Sequence, residues 1–479
     1  MPYFPVSPQT DDRRAKGITP TRLRNCYVDT TPKSAINKRS SYVIVPSPGR
    51  TRVATLGANL RGVFAQDGVV GGALFAANGS TLNSVSDAWA VSSVGTIFGG
   101  DVVSFAGLRD KLVMRAYQSI HYWDGATFST VVDADAPTIP VTLAVVGLRV
   151  VAAEDGGDTF SWSKAGLPGD WDAAGLAADV DVPDPIVGQF EIGGDLWNGN
   201  STSFQIWRAT GGSEAEAFVP LEGVNIRKGL LARDSFARVG DGSAMFLGND
   251  RVVYRVAGYG VQPVPNRDLE DVLAGMTQAN LEASLGWSYT DGSKEFYGLK
   301  LQGVERAFVY DVALGLFHER TRYEASEYDV DFVTGAYNEA ICASADAAYL
   351  WRLDKDVYTD DGTLIQRQMT IAVPVAGGTS IDRIVLDAEF YDQPLSGQGS
   401  APTMILDFSM DGGRTFAVDA GTQRTVDLPA RGVYNKRVQA FRFGRVVSEK
   451  GFILRLTITD PIGFSIYGLW VNPPPEEVY

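Results

Sequence analysis

From about residue 60 to residue 365 the sequence repeats one theme: an apolar strand, a tight polar turn, and a second strand closing on an aromatic residue. Turn signals fall at Asn78-Gly79, Tyr117-Gln118, Asp155-Gly156-Gly157, Gly199-Asn200, Gly248-Asn249-Asp250, Asp291-Gly292 and Ser344-Ala345-Asp346, about 38 to 54 residues apart. Apolar runs flank them at 72–76, 111–116, 149–153, 203–207, 244–247, 251–256, 295–301 and 307–310. Asn-Gly and Asp-Gly supply the positive φ that two-residue hairpins require. A hairpin unit at this period is the spacing of propeller blades. The segment Ile120–Phe128 (IHYWDGATF) shows the strand–turn–strand shape compactly, and Arg306–Phe317 repeats it loosely. The reading is all-β: a β-propeller of six or seven blades, with an ordinary multi-hairpin sandwich as the alternative.

Two features interrupt the rhythm. Apolar Leu269, Val272, Leu273 and Met276 recur at helical spacing behind Pro265-Asn266, with acids in the first turn, so 267–283 reads as one short helical insertion between blades. Past residue 365, apolar or alternating runs at 381–391, 403–410, 423–428, 437–447, 452–459 and 464–471 predict a C-terminal β-sandwich. The expected organisation is a basic N-terminal segment over 1–59 packing on the sandwich, a propeller over 60–365, the sandwich platform over 366–471, and an extended Pro-rich tail over 472–479.

Charge is unevenly distributed. The chain carries a net −15, yet residues 1–52 sum to +7 and residues 423–455 to +6, which leaves −28 for the remainder. Such asymmetry speaks of partners rather than fold. A body this acidic is the wrong sign for gripping phosphates. The basic stretches either dock on the acidic body or form an assembly face opposite an acidic passage. Two cysteines, Cys26 and Cys342, build no disulfide framework, and two histidines, His121 and His318, leave little for metal chemistry. No signal-peptide pattern opens the chain, and no run of apolar residues is long enough to span a bilayer, so no membrane insertion is expected.

Several motifs invite a chemical reading. Ser409, Asp411, Gly413 and Thr415 match the Asp-box pattern S-x-D-x-G-x-T-[WF] familiar from sialidases, but its physics is that of a local turn, and a structural turn is expected. The acid-rich segments at 179–184, 328–331, 354–356 and 360–362 lack the spacing of an EF-hand loop. No Walker-type glycine loop and no nucleophile–His–acid context occurs. No catalytic residue, cofactor site or metal site is expected, and the chain does not read as an enzyme.

In order and wording the sequence resembles the tail nozzle proteins of short-tailed bacteriophages, also called packaged-DNA stabilisation proteins. Near the start the resemblance rests on Asn25-Cys-Tyr27, Thr31-Pro-Lys33-Ser34, Tyr42, Pro48-Gly49 and Leu60-Arg-Gly-Val63. Midway it rests on Asn200–Gln205 and Arg227-Lys-Gly229, followed by the helix and the strand at 295–301. The strongest part is Val433–Val438 (VYNKRV), Arg442–Val446 (RFGRV) and Gly451–Arg455 (GFILR). Asn435 stands where that family has Asp, and the Pro-rich tail has no counterpart in the pattern.

The resemblance implies a virion tail protein assembled in the bacterial cytoplasm. It implies a homohexameric tube below a tail adaptor ring that conducts double-stranded DNA at ejection without binding it tightly. A needle or plug protein would close the tube, and tail fibres or tailspikes would dock on its side. Candidates for the assembly interface are Arg22, Arg24, Lys33, Lys436, Arg437, Arg442, Arg445 and Arg455. Candidates for the lumen or gate are Trp171, Asp179, Asp181 and Asp184, on a long connection expected over 166–188. A propeller glycan hydrolase, of tail-depolymerase or sialidase-like type, and a cytosolic propeller scaffold are the alternatives.

Overall fold

The computed structural model describes residues 3–6, 19–31, 40–179, 182, 184–224, 226–323, 327–410, 413, 415–416, 423–433, 436–446 and 452–473. Lys33, Asp181, Asp411 and most of the Pro-rich tail lie outside the described residues. The chain forms two compact units. One comprises Arg52–Val304 and Asp329–Arg352, the other Met1–Thr51, Glu305–Tyr328 and Leu353–Tyr479.

The first unit is a β-propeller. Five complete four-stranded antiparallel blades follow one another. Blade one is Leu60–Phe64, Leu74–Asn78, Thr81–Val85 and Val91–Thr96; blade two is Ser104–Leu108, Lys111–Ala116, Ser119–Trp123 and Phe128–Thr130. Blade three is Ala144–Val146, Arg149–Ala153, Thr159–Ser163 and Trp171–Ala178; blade four is Ile186–Ile192, Asp195–Asn200, Phe204–Ala209 and Phe218–Pro220. Blade five is Ala237–Arg238, Ala244–Leu247, Val253–Ala257 and Gly260–Pro263. Two more antiparallel pairs, Leu285–Asp291 with Lys294–Lys300 and Phe332–Ala336 with Glu339–Ala343, occupy the sixth and seventh positions. The strand Phe332–Ala336 returns to touch Leu60–Phe64, so the ring closes at seven.

The physical logic lies in the second strand of each blade. Leu74–Asn78, Arg149–Ala153, Asp195–Asn200 and Ala244–Leu247 are buried along their whole length. Each is covered on both faces by neighbouring blades, so Leu74–Asn78, Arg149–Ala153 and Ala244–Leu247 are mostly apolar rather than alternating, whereas Asp195–Asn200 buries Asp195, Asn198 and Asn200 as hydrogen-bonded polar groups. The cores accordingly sit between blades. Phe75, Ala77 and Leu82 of blade one pack on Leu112, Met114 and Ala116 of blade two. Phe160 and Trp162 of blade three pack on Leu196 and Trp207 of blade four. Tight turns join the strands, with Gly79 at φ 50° and Gly292 at φ 62° in the left-handed region that favours glycine.

Three local expectations are corrected. The single helix over 267–283 is two, Arg267–Gly275 and Gln278–Glu282. Met276 is extended, and Thr277 caps the second helix by accepting from the Asn280 N–H, so a new N-terminus displaces helix continuation. Asn200 is not a turn residue but the end of Asp195–Asn200, with the chain reversing at Ser201-Thr202. The long connection expected over 166–188 contains the outer strand of blade three, Trp171–Ala178, and the start of blade four's first strand at Ile186.

The second unit is a β-sandwich. One sheet orders Cys26–Thr30, Tyr42–Pro46, Gly463–Val471, Ser380–Tyr391 and Gln439–Arg445, with Tyr3–Pro5 also paired to Gly463–Val471. The other runs through Ala307–Asp311, Leu316–Arg320, Thr19–Arg24, Arg367–Val373, Phe452–Ile458, Thr403–Ser409 and Arg424–Asp427. Their inner faces share one core, in which Leu23, Cys26, Val28 and Ile44 pack with Ile371, Leu386, Leu454 and Phe464. Strands from both ends of the sequence therefore build the sandwich. Ser409 accepts a hydrogen bond from the Gly413 N–H at 3.0 Å, and Gly413 has φ 85°. Thr415 is exposed just beyond it.

Candidate functional site

The sandwich concentrates the arginines. Arg22 and Arg24 stand two apart on Thr19–Arg24, so their side chains share a face. The parallel neighbour Leu316–Arg320 places Glu319 opposite Arg24. Arg22 Nε lies 3.0 Å from both Glu319 carboxylate oxygens, Arg24 Nε 3.6 Å and Arg306 Nε 3.3 Å away. One buried carboxylate thus faces three guanidinium groups and leaves an excess of positive charge. Burial is the main cause that lowers the pKa of Arg24, with Arg22 adding to it. A second group is deeper. Arg50 pairs with Asp360 at 2.7 Å, both buried. Arg320 donates to the Pro48 carbonyl, and Arg367 donates to the carbonyls of Tyr358 and Ile365. Burial pushes Arg367 down to about 10.

These contacts sort the interface candidates. Arg22, Arg24 and Arg455 are engaged within the fold, Arg455 by two bonds to Asp407 at 3.2 and 2.8 Å. Arg442 and Arg445 are exposed on Gln439–Arg445, which ends its sheet, and Arg445 Nε donates to the Gly378 carbonyl at 2.9 Å. Lys436 is exposed just ahead of that strand and Arg437 is half-buried. The structure therefore brings Lys436, Arg437, Arg442 and Arg445 to one basic edge and assigns the other three arginines to internal ion pairs.

The lumen candidates are corrected. Trp171 is buried in the core between blades two and three, where its indole N–H donates to the Pro168 carbonyl at 3.0 Å. Asp179 is 4% exposed and accepts from Asn198, Asn200 and the Trp207 indole at 2.8–2.9 Å. Asp184 is 8% exposed and accepts from the Thr202 N–H and the hydroxyls of Ser201, Thr202 and Ser203. Both acids hold polar groups of blade four in place and present no open surface. Burial pushes Asp179 up to about 6, against its three hydrogen bonds.

Sequence reasoning missed the propeller's central cavity. It measures about 480 Å³ and is lined by the first strands of all seven ring positions, from Phe64 through Phe105, Ala144, Gln189, Arg238 and Gly286 to Phe332. Charges inside it are balanced. Arg233 pairs with Asp234 at 3.0 Å, Arg238 with Glu191 at 2.5 Å, and Asp331 with the buried Lys300 at 2.6 Å. A buried chain of hydrogen bonds leads outward from Thr142 to Gln189, Asn198 and Asp179. The cavity is of ligand size.

His121 is buried beside Thr130, and burial pushes its pKa down to about 4, which keeps the ring neutral. Burial pushes the Cys26 thiol up to about 12. Among the described residues no group of three or more His, Cys, Asp or Glu is placed to hold a metal, and no helix is long and apolar enough to cross a membrane.

Comparison with solved structures returns propellers at low similarity. Virginiamycin B lyase from Staphylococcus aureus aligns at 8% identity and TM-score 0.43, covering 63% of this chain and 97% of that one. The Pan2 WD40 domain of Neurospora crassa aligns at 9% identity and TM-score 0.38, covering 64% and 96%. The N-terminal domain of Nup159 aligns at 10% and 0.40, covering 70% and 98%. At these scores none of them carries an argument about activity. No curated protein matches by sequence. A family model described as bacteriophage P22 Gp10, β-propeller, does match, over residues 23–358. That span is more than half of the chain and contains the whole seven-membered ring, so the chain belongs to the phage stabilisation family of bacteriophage P22 Gp10, a structural family associated with stabilising packaged DNA.

Proposed function

We propose that this chain is the subunit of a homohexameric tail nozzle that retains packaged DNA before infection and conducts it at ejection. The observation that carries the reading is the family match over residues 23–358. Charge supports it: outside its two basic stretches the chain carries −28, and an acidic bore repels rather than holds a moving polyanion. The basic edge of exposed Lys436, Arg442 and Arg445, with half-buried Arg437 beside them, would supply a contact for a neighbouring subunit or for the tail adaptor ring. Fibres or tailspikes, and a needle or plug, are the further partners in this reading, with the virion tail as the place and the host cytoplasm as the site of assembly. No step of the role requires catalysis. Mass photometry tests the reading: six copies of a 51.6 kDa chain give a ring of about 310 kDa. Rings of that mass should release duplex DNA at ~150 mM salt, where electrostatic binding is already weakened. A chain that stays monomeric alone and with its adaptor ring, or rings that retain duplex at that salt, would contradict it.

A further inference from the structure

A cleft opens between blades four and five. It has a volume of about 520 Å³, inside the ~300–1,000 Å³ range of small-molecule sites. Trp197 and Tyr259 form its aromatic wall, their rings within 15° of parallel and their centroids 6.4 Å apart. Trp197 lies on the fully buried second strand of blade four and is 1% exposed. Its indole N–H nevertheless finds no hydrogen-bond partner among the described residues. At that burial Trp197 is the closed back of the cleft, and the ring face open to a ligand is that of Tyr259.

Tyr259 has the opposite character. It stands in the turn between Val253–Ala257 and Gly260–Pro263 and is 47% exposed. Its hydroxyl is tied back, donating to Asp195 at 2.7 Å and accepting from Arg208 at 2.9 Å. The ring is thus held rigidly, its polar atom engaged within the protein. A fixed, exposed aromatic face beside hydrogen-bonding groups is the pairing that recognises a molecule with one apolar and several polar faces.

The charges narrow the class. Arg255 is paired with Asp241 and donates to the Ser243 hydroxyl at 3.2 Å, while Arg208 is paired with Asp195. Each guanidinium has its own carboxylate, so the cleft offers no net charge to an anion or a cation. It does offer donors from Arg255 and acceptors from Asp241, with Gln262 on the rim. We infer that this cleft binds a neutral pyranose sugar, with the C–H face of the ring against Tyr259 and hydroxyls meeting Asp241 and Arg255. Asp241 is the sole acid among the described residues that line it, whereas glycoside cleavage ordinarily takes two carboxylates, so the site holds the sugar without cutting it.

The test uses the full chain and saturation-transfer NMR. The probes are glucose, galactose, mannose, rhamnose and N-acetylglucosamine, and disaccharides of each. At least one should give saturable binding, and Tyr259→Ala should weaken it tenfold or more. Because Tyr259 is exposed, that variant should keep the wild-type circular dichroism and melting curve within a few degrees. Gln262→Ala, also at the surface, should weaken binding several-fold and serves if Tyr259→Ala fails to fold. No saturable binding by any probe would overturn the proposal. So would affinity that both variants leave unchanged, or tighter binding of a uronic acid or an amino sugar cation than of the neutral sugars.

Discussion

Asp179 shows what a single buried group does here. The acids at 179–184 stand out in the sequence, but composition does not say which of them face water. Asp179 is instead the acceptor at the centre of Asn198, Asn200 and Trp207, residues some 20 to 30 positions away. Burial raises its pKa from 3.8 to about 6, with Asp184 contributing in the same direction. The folded state therefore binds this proton more tightly than the unfolded chain does. Stability from this residue is highest below about pH 4 and falls as pH rises to about 6, by roughly 2–3 kcal/mol. Urea unfolding at pH 4.5 and pH 7 should show wild type losing ground relative to Asp179→Asn as pH rises; an unchanged difference would refute the assignment. Glu319 matters through its ion pairs. Glu319→Gln leaves Arg22, Arg24 and Arg306 facing one another, at a cost of about 2–4 kcal/mol, less than for a fully buried pair because the arginines are partly exposed. Adding Arg306→Gln to that variant should restore part of the loss, and additive effects in the double-mutant cycle would show that the charges are uncoupled.

Strands differ in how much of themselves they disclose. Arg149–Ala153 and Ala244–Leu247 are visible in the sequence to the residue because both of their faces are covered and their apolar runs are unbroken, and Lys111–Ala116 is visible although Arg115 interrupts its run. The first strands of the blades are harder to see. Ser104–Leu108 and Ala237–Arg238 are short, and one side of them faces the central cavity, so its lining is scattered over seven distant segments. Thr19–Arg24 (TPTRLR) carries almost no apolar signal, since its partners lie about 300 and 350 residues away. The helical insertion was legible in its first part only, where Asn266 accepts from the Leu269 N–H at 2.9 Å and acids fill the first turn. Two glycines at this level should behave oppositely. A Cβ on Gly286, in Leu285–Asp291, would lie 1.9 Å from the Ser235 carbonyl oxygen, so Gly286→Ala should cost about 2–3 kcal/mol or prevent folding. Gly275 ends a helix with no atom within 4 Å of a built Cβ, and Gly275→Ala should be neutral or stabilising by up to about 1 kcal/mol. Denaturant midpoints for the pair measure both, and equal effects would mean that the contact at Ser235 is relieved by movement.

At the scale of the molecule, the repeat period revealed the propeller and the alternating tail revealed half of the sandwich. The N-terminal segment was expected to pack on the sandwich, but that it enters both sheets as strands was not readable, because pairing across the whole chain leaves no local trace in either partner. That pairing also orders events in time. Tyr3–Pro5 takes its place against Gly463–Val471, and Cys26–Thr30 and Tyr42–Pro46 join the same sheet. On a ribosome moving at ~5–20 residues per second, the first strand waits roughly 20 to 90 seconds for its partner to be made. Blades one to five have all their strands long before that and can close as they emerge. A nascent chain arrested at residue 460 should therefore show protected hydrogen exchange in blade strands such as Arg149–Ala153 and none in Tyr3–Pro5; protection of that first strand at this length would disprove the order. Gly463–Val471 thus acts as a check on synthesis, since a chain cut short of it cannot finish the sheet that presents the basic edge.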